Sequence, residues 1–329
     1  MDALRIEIGE LIELDFDMEA LGFEVAEIDL MFDDGAARHE PEPPDPPSDP
    51  VTRAGDVWVL GPHRLVCGDA LKLGTYEALL GNEVVDAVFT DAPYNVPVDK
   101  HICGLGKVKH REFAMASGEM SKDAFAKFLT TVHNRLYERI KAGGIAFSCM
   151  DWRSISPLII AGQAAGFELI NLAVWDKGVG GMGSLYRSQH ELVCVFKKPG
   201  ASHRNNVELG KHGRNRTNVW GYPGCNSGSK ERGELLKLHP TVKPTALIAD
   251  ALQDVTARGD LVLDVFGGSG STLLAAEQTG RVSRLIEIDP AYCDVIIERY
   301  RQAYGVEAVL EADGARFSEV RDQRGGDHE

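Results

Sequence analysis

The sequence predicts an α/β fold with a Rossmann-like, doubly wound, mainly parallel sheet, and three observations predict it. Strand-like and helix-like segments alternate through most of the chain. A glycine-rich run, Phe266-Gly-Gly-Ser-Gly270, lies between an apolar strand and an apolar helix. The 329 residues, 43% of them hydrophobic, suffice for one large α/β domain or two small ones.

The segments follow in order. Residues 1–33 space apolar side chains helically, with Leu4, Ile8, Leu11 and Ile12, then Phe23, Ile28, Leu30 and Met31. Residues 34–54 are Pro- and Asp-rich and aperiodic, which predicts a linker that buries no core. A compact domain is expected over 55–320 and a charged tail over 321–329. Within the domain, HRLVCGDA reads as a strand and LKLGTYEALL as a helix. VVDAVFTDAPY is a strand ending in a polar turn. Ser121 is a candidate N-cap for an amphipathic helix to Lys141. GGIAFSCM is a strand, and SPLIIAGQAAGF a helix with Pro157 near its first turn. ELINLAVWDK and HELVCVFKK are strands, and PTALIADALQDV is a helix after an irregular basic stretch. LVLDVFGGSGSTLLAAEQTG is strand, turn and helix; SRLIEID is a strand, and AYCDVIIERYRQAYG a long final helix.

Charge is unevenly distributed. The net charge is −15, yet residues 1–50 hold 16 Asp/Glu against 2 Lys/Arg. Residues 177–243 reverse the sign, with 12 Lys/Arg against 4 Asp/Glu. A locally basic segment on a near-neutral body is suited to phosphate, or is simply a solvated loop. No apolar run is long enough for a membrane span, and the N-terminus lacks the basic and apolar regions of a signal peptide. The six cysteines are scattered without a CxxC pair, and His190 and His239 lack ligand spacing. Reduced thiols, a cytoplasmic location and no metal are expected.

Two motifs carry chemistry. Asp264-Val-Phe-Gly-Gly-Ser-Gly-Ser-Thr272 joins a strand to a helix, and Glu287 ends the next strand. Glycines let a ligand approach the backbone, and the acid can accept both ribose hydroxyls of an adenosine ligand. NAD and S-adenosyl-L-methionine both fit. Thr90-Asp-Ala-Pro-Tyr-Asn95 ends the strand VVDAVF. There the Asp91 carboxylate and the Ala92 carbonyl can accept the two N–H bonds of a ring amine, beside rigid Pro93 and a stacking Tyr94. Taken alone, that tetrapeptide is equally an ordinary strand-to-loop turn.

Together, these residues resemble the amino-methyltransferase family of DNA modification enzymes, with motifs written Asp-Pro-Pro-Tyr and Asp-Pro-Phe-x-Gly-x-Gly. The catalytic motif precedes the cofactor motif here, the order of the β class. The resemblance runs from about Gly55 to Val320, through GDVWVLGPHRLVCGDA, VWDKGVGGMGSLYRSQHELVCVFKK, HGRNRTNVWGYPG, HPTVKP and IEIDPAYCDVIIERY. Those blocks look like methyltransferases fused to a chromosome-partitioning ParB-like domain, often prophage-encoded. Residues 1–33 resemble the tail of that domain, without its nuclease-like core. Ala92 replaces the first Pro of the catalytic motif, keeping the needed carbonyl but losing rigidity. Val265 replaces the Pro before Phe266.

The resemblance implies the seven-stranded, circularly permuted sheet of class I S-adenosyl-L-methionine methyltransferases, with an inserted recognition segment at about 178–237. It implies methyl transfer to the exocyclic amine of a flipped base in double-stranded DNA, with a homodimer as a further option. Asp91 and Ala92 would orient the amine, with Pro93 and Tyr94 completing the turn. Phe266, Gly268, Gly270, Ser271 and Thr272 would hold the cofactor, Glu287 its ribose, Asp264 its methionine end and Asp69 its adenine. Thr241 and Lys243 would lie near the methionine moiety. Tyr186, Arg187, Lys211, His212, Arg214, Arg216 and Trp220 would face DNA. Asp91 favours adenine N6, since cytosine-N4 enzymes more often carry Ser there. Other readings are protein-amide methylation, disfavoured by the basic segment, and an inactive DNA-binding remnant. No cysteine sits in a Pro-Cys context, which argues against covalent C5-cytosine chemistry.

Overall fold

The computed structural model describes residues 2–14, 16, 18, 20–32, 40–95, 118–181, 185–207, 214–224 and 242–325. Two N-terminal helices, α1 (Asp2–Glu13) and α2 (Val25–Phe32), precede the α/β body. The body then runs β1 (Val57–Leu60), β2 (His63–Cys67), α3 (Leu73–Leu80), β3 (Val85–Thr90), α4 (Lys122–Arg139), β4 (Ile140–Met150) and α5 (Ile155–Ala164). It continues through β5 (Glu168–Asp176), β6 (His190–Lys197), β7 (Val219–Gly221), α6 (Thr245–Val255), β8 (Leu261–Asp264) and α7 (Ser271–Thr279). Last come β9 (Val282–Glu287), α8 (Pro290–Tyr304), β10 (Val309–Leu310) and α9 (Phe317–Gly325).

The strand order is β10-β1-β2-β9-β8-β3-β4-β6-β5-β7. The sheet is mixed and has ten strands where seven were expected. The expected seven form its centre: β2, β9, β8, β3 and β4 are mutually parallel, and β6 enters antiparallel between β4 and β5. The short strands β1, β10 and β7 extend the two edges.

Period-two alternation buries both faces. Along β6, Cys194 and Phe196 point to the side covered by α3, α4 and α5, while Val193 and Val195 point to the side covered by α6 and α7. Ser121 caps α4 as its sequence position suggested, its hydroxyl accepting from the Ala124 amide at 3.2 Å. The left-handed Asn95 (φ 56°) accepts from the Gly118 and Met120 amides and donates to the Met120 carbonyl, so the chain returns to the end of β3 before entering α4.

The N-terminal piece is not a loose appendage. Asp29 of α2 makes a bidentate ion pair with Arg281 at 2.7 and 2.8 Å, and both groups are buried. The Phe32 ring lies under the Arg258 guanidinium at 4.6 Å. The segment after α2 also departs from the linker expectation over the part described, residues 40–54. Asp294 of α8 accepts the Val51 and Thr52 amides, and Pro43 is buried. The expected tail begins as helix: Arg324 on α9 pairs with Asp56 and donates to the Val51 carbonyl.

Removing one partner of a buried bidentate pair strands a desolvated charge, costing about 3–5 kcal/mol. Asp29→Ala should therefore lower the unfolding free energy by about that amount in urea titrations. An unchanged midpoint would mean that α2 does not dock on the body.

Candidate active site

Parallel strands of an open α/β sheet deliver their following loops to one edge, and ligands bind along it. Here β3 and β8 are adjacent, with Val88 level with Leu263. Three residues on, the Asp91 turn stands beside the Phe266 turn. Adjacent to β8, β9 ends at Glu287, and β2 beyond it pairs Cys67 with Glu287. Asp69 thus follows the neighbouring strand end, its carboxylate capping the Leu71 amide at 2.9 Å. The structure brings together Asp69, Asp91, Asp264, the glycine-rich turn and Glu287.

In the cofactor half, Gly270 adopts φ +84°, a left-handed conformation that a side chain would strain, and a Cβ there would press on Ile296 at 3.2 Å. The turn begins α7 with Ser271 and Thr272 buried in its first turn. Asp264 accepts from the Thr272 hydroxyl at 2.6 Å and the Phe266 amide at 3.0 Å. Glu287 accepts from the Gly268 amide at 2.8 Å and the Asp289 amide at 2.9 Å. Both carboxylates are buried, and among the described residues no ion pair joins either to a cation. Burial pushes each up to about 7, against the pull of those hydrogen bonds. Two desolvated carboxylates without counter-cations suit a ligand carrying positive charge and hydroxyls. S-adenosyl-L-methionine has a sulfonium, an ammonium and a ribose diol, so the residues present fit it.

The catalytic half is organised by one ammonium. Lys243 Nζ lies 2.6 Å from Asp91 Oδ2, 2.8 Å from Glu191 Oε2 and 3.2 Å from the Tyr94 hydroxyl. Tyr94 Oη also lies 2.8 Å from Asp91 Oδ1 and 3.0 Å from Glu191 Oε2. Lys177 pairs with the other Glu191 oxygen, and the Trp175 ring sits against both lysines. Burial works against the Glu191 anion, yet Lys243 and Lys177 hold its carboxyl down to about 2. Burial pushes Asp91 up, opposed by Lys243 and reinforced by Glu191. Burial alone would depress Lys243; Asp91 and Glu191 outweigh it and hold the lysine protonated. Lys243, expected over the methionine end, therefore sits on the catalytic turn.

Glu191 and Lys177 were not singled out from the sequence. Because β6 runs antiparallel, its beginning rather than its end faces the functional edge. An acid just ahead of the apolar run Leu-Val-Cys-Val-Phe is the available signal.

The proposed DNA contacts divide. Tyr186 is 83% exposed in the β5–β6 connection, and Arg187 beside it is exposed, its guanidinium donating to the Gly180 and Gly181 carbonyls. Arg214 and Arg216 instead pair with Asp254 at 2.6 and 2.8 Å and also reach Asp250, both acids on α6. Trp220 is buried in the core. All three are packed into the body, and the charge of the two arginines is matched by Asp250 and Asp254. Lys211, His212 and Thr241 lie outside the described residues. Ala92 is buried in the core, and Val265 likewise.

A model of the DNA methylase family matches residues 85–298, and one of the ParB-methyltransferase HTH domain matches residues 2–54. The chain is 26% identical over 264 residues to the Type II methyltransferase M.ScaI of Streptomyces caespitosus, covering 70% of this chain and 79% of that one. It is also 26% identical over 254 residues to the Type II methyltransferase M.HpaI of Haemophilus parainfluenzae, covering 72% and 74%. Among solved structures, a putative DNA modification methylase of Thermus thermophilus complexed with S-adenosyl-L-methionine aligns at a TM-score of 0.52 and 20% identity, over 73% of this chain and 94% of that one. PvuII DNA methyltransferase, cytosine-N4-specific, aligns at 0.56 and 17%, over 83% and 93%.

The titration of the cofactor half has a measurable sign. A cationic, hydroxyl-bearing ligand held by Glu287 and Asp264 would bind their ionised forms, with protons competing below about pH 7. Calorimetric affinity for S-adenosyl-L-methionine should rise from pH 6 to 8 and then level off, and Glu287→Gln should both weaken binding and flatten the rise. A wild-type affinity independent of pH across that window would remove these carboxylates from the pocket.

Proposed function

The chain belongs to the DNA methylase family, S-adenosyl-L-methionine-dependent methyltransferases of the adenine-N6 or cytosine-N4 type, and on that premise we propose that it methylates the N6 amine of adenine in double-stranded DNA. The observation that carries this reading is the Asp91-Ala-Pro-Tyr94 turn at the end of β3, level with the cofactor turn at the end of adjacent β8.

The cofactor supplies a methyl group activated by its positive sulfur. The protein's part is to present the amine. Asp91 and the Ala92 carbonyl accept the amine's two N–H bonds, drawing its lone pair out of ring conjugation and toward the methyl. Tyr94 stacks on the base. Lys243 holds one Asp91 oxygen, so accepting the amine means that the lysine turns toward Glu191, already within 2.8 Å. After transfer the amine carries an excess proton. Asp91, the carboxylate that burial raises, is the acceptor beside it. Glu191, held as a firm anion, keeps the displaced ammonium neutralised.

A base inside a duplex must be extruded to reach this edge, costing roughly a few kcal/mol. Tyr186 and Arg187 support a DNA-facing role for the β5–β6 connection. So does Trp152, half exposed just past β4 with the Arg153 guanidinium over its ring at 4.8 Å. The described cysteines Cys67, Cys149, Cys194 and Cys293 are free and buried, which supports a reducing, cytoplasmic setting.

Asp91→Ala should abolish methyl transfer while calorimetric cofactor binding persists; near-wild-type turnover would exclude Asp91 from the chemistry. Nucleoside analysis of treated DNA should yield N6-methyladenine, and N4-methylcytosine would overturn the choice of base. Arg187→Ala should lower the salt dependence of DNA affinity by about one unit of log–log slope, as expected for one lost phosphate contact. An unaltered slope would place the phosphate grip elsewhere.

A further inference from the structure

Behind the cofactor turn lies a charge that the methylation chemistry does not use. Arg299 of α8 is 2% exposed, and its Nη1 donates to the Ser269 carbonyl at 2.9 Å and reaches the Ser269 and Ser271 hydroxyls at 3.3 Å. A guanidinium so buried needs a counter-charge. It comes from outside the catalytic domain's own strands and helices: Glu40 Oε1 lies 2.5 Å from Arg299 Nη2, and the Pro41 carbonyl accepts from Nε at 3.0 Å. The same Glu40 oxygen accepts from the Thr245 hydroxyl, at the first residue of α6 and two residues beyond Lys243.

We propose that Glu40, on the segment joining the N-terminal helices to the body, is a positioning residue for S-adenosyl-L-methionine, acting through Arg299 on the Gly267–Ser271 turn. The route is short. Glu40 fixes the guanidinium, and the guanidinium fixes the Ser269 carbonyl in the middle of the turn. The neighbouring Gly268 amide is then held where it donates to Glu287, the carboxylate set to receive the ribose hydroxyls. Without Glu40, Arg299 is a buried cation lacking its carboxylate. It either withdraws toward solvent or repartners, and in both cases releases the turn. Glu40, within the residues 2–54 matched by the HTH-domain model, thereby supports the cofactor turn from behind.

The test is cofactor binding to the full-length protein by calorimetry, which needs no DNA and is independent of the choice of base. Glu40→Ala should raise the dissociation constant for S-adenosyl-L-methionine about tenfold, since a stranded buried charge commonly costs at least the 1.4 kcal/mol that a factor of ten represents. Methylation by that variant should show a raised KM for the cofactor with kcat at saturating cofactor retained. Glu40→Gln keeps hydrogen bonding to Arg299 and Thr245 without the charge and should fall between wild type and Glu40→Ala. Arg299→Met should weaken binding as well, and adding Glu40→Ala to it should weaken binding no further. Unchanged affinity in Glu40→Ala, a fall in thermal stability without any change in affinity, or additive losses in the double variant would each overturn the proposal.

Discussion

The candidate active-site edge depends on one buried ammonium. Lys243 is brought to the site by the chain entering α6, while Asp91 comes from the end of β3 and Glu191 from the start of β6. Three separate elements converge because a desolvated lysine is tolerated only with carboxylates around it, and desolvated carboxylates only with a cation between them. Trp175 and Tyr94 close the cluster with aromatic faces that further favour the cation. The arrangement is asymmetric. Glu191 is shared by two lysines, which hold its carboxyl down, whereas Asp91 has one; Tyr94 reaches both acids. In the proposed chemistry that asymmetry makes Glu191 the fixed counter-ion and Asp91 the group that exchanges partners.

The neighbouring half of the edge is built with the opposite electrostatic logic. Asp264 and Glu287 are buried more deeply than Asp91, and their hydrogen bonds come from amides and a hydroxyl rather than from cations. A lysine placed there would occupy the volume and charge that a positively charged cofactor needs. The sheet separates the two halves by one strand spacing, so a positive ligand is attracted to the β8–β9 side while Lys243 is retained on the β3–β6 side.

Much of this was legible in the sequence because it is locally encoded. Apolar alternation, the cap at Ser121 and the glycine-rich turn each specify structure within a few residues, and the rule that ligands gather past strand ends located Asp91, Asp264 and Glu287. What was missed depends on partners distant in sequence. Glu191 required knowing that β6 is reversed. Positive charge beside an aromatic in the recognition segment points Arg214 and Arg216 at DNA, and that local pattern cannot show that Asp250 and Asp254, four residues apart on α6, already neutralise them. Composition alone makes the Pro-rich segment a linker, but proline also stiffens a chain against a surface. Over residues 40–54, Glu40 on Arg299 and the Val51 and Thr52 amides on Asp294 fix the segment to the body.

The acidity of the N-terminal piece takes on a different meaning in that light. Sixteen carboxylates against two basic residues in the first fifty suggest a segment repelled by nucleic acid. Two of those carboxylates are drawn into ion pairs with the body, Asp29 buried and Glu40 with 35% of its side chain exposed. Asp29 neutralises the fully buried Arg281, and Glu40 neutralises Arg299, so part of the N-terminal excess balances cations that the catalytic domain buries. Net charge by segment therefore overstates both the negative character of the N-terminal surface and the basic character of the stretch near Arg214, whose countercharges lie on α6. The charge that DNA meets is fixed by what remains unpaired along the sheet's functional edge rather than by the total of −15.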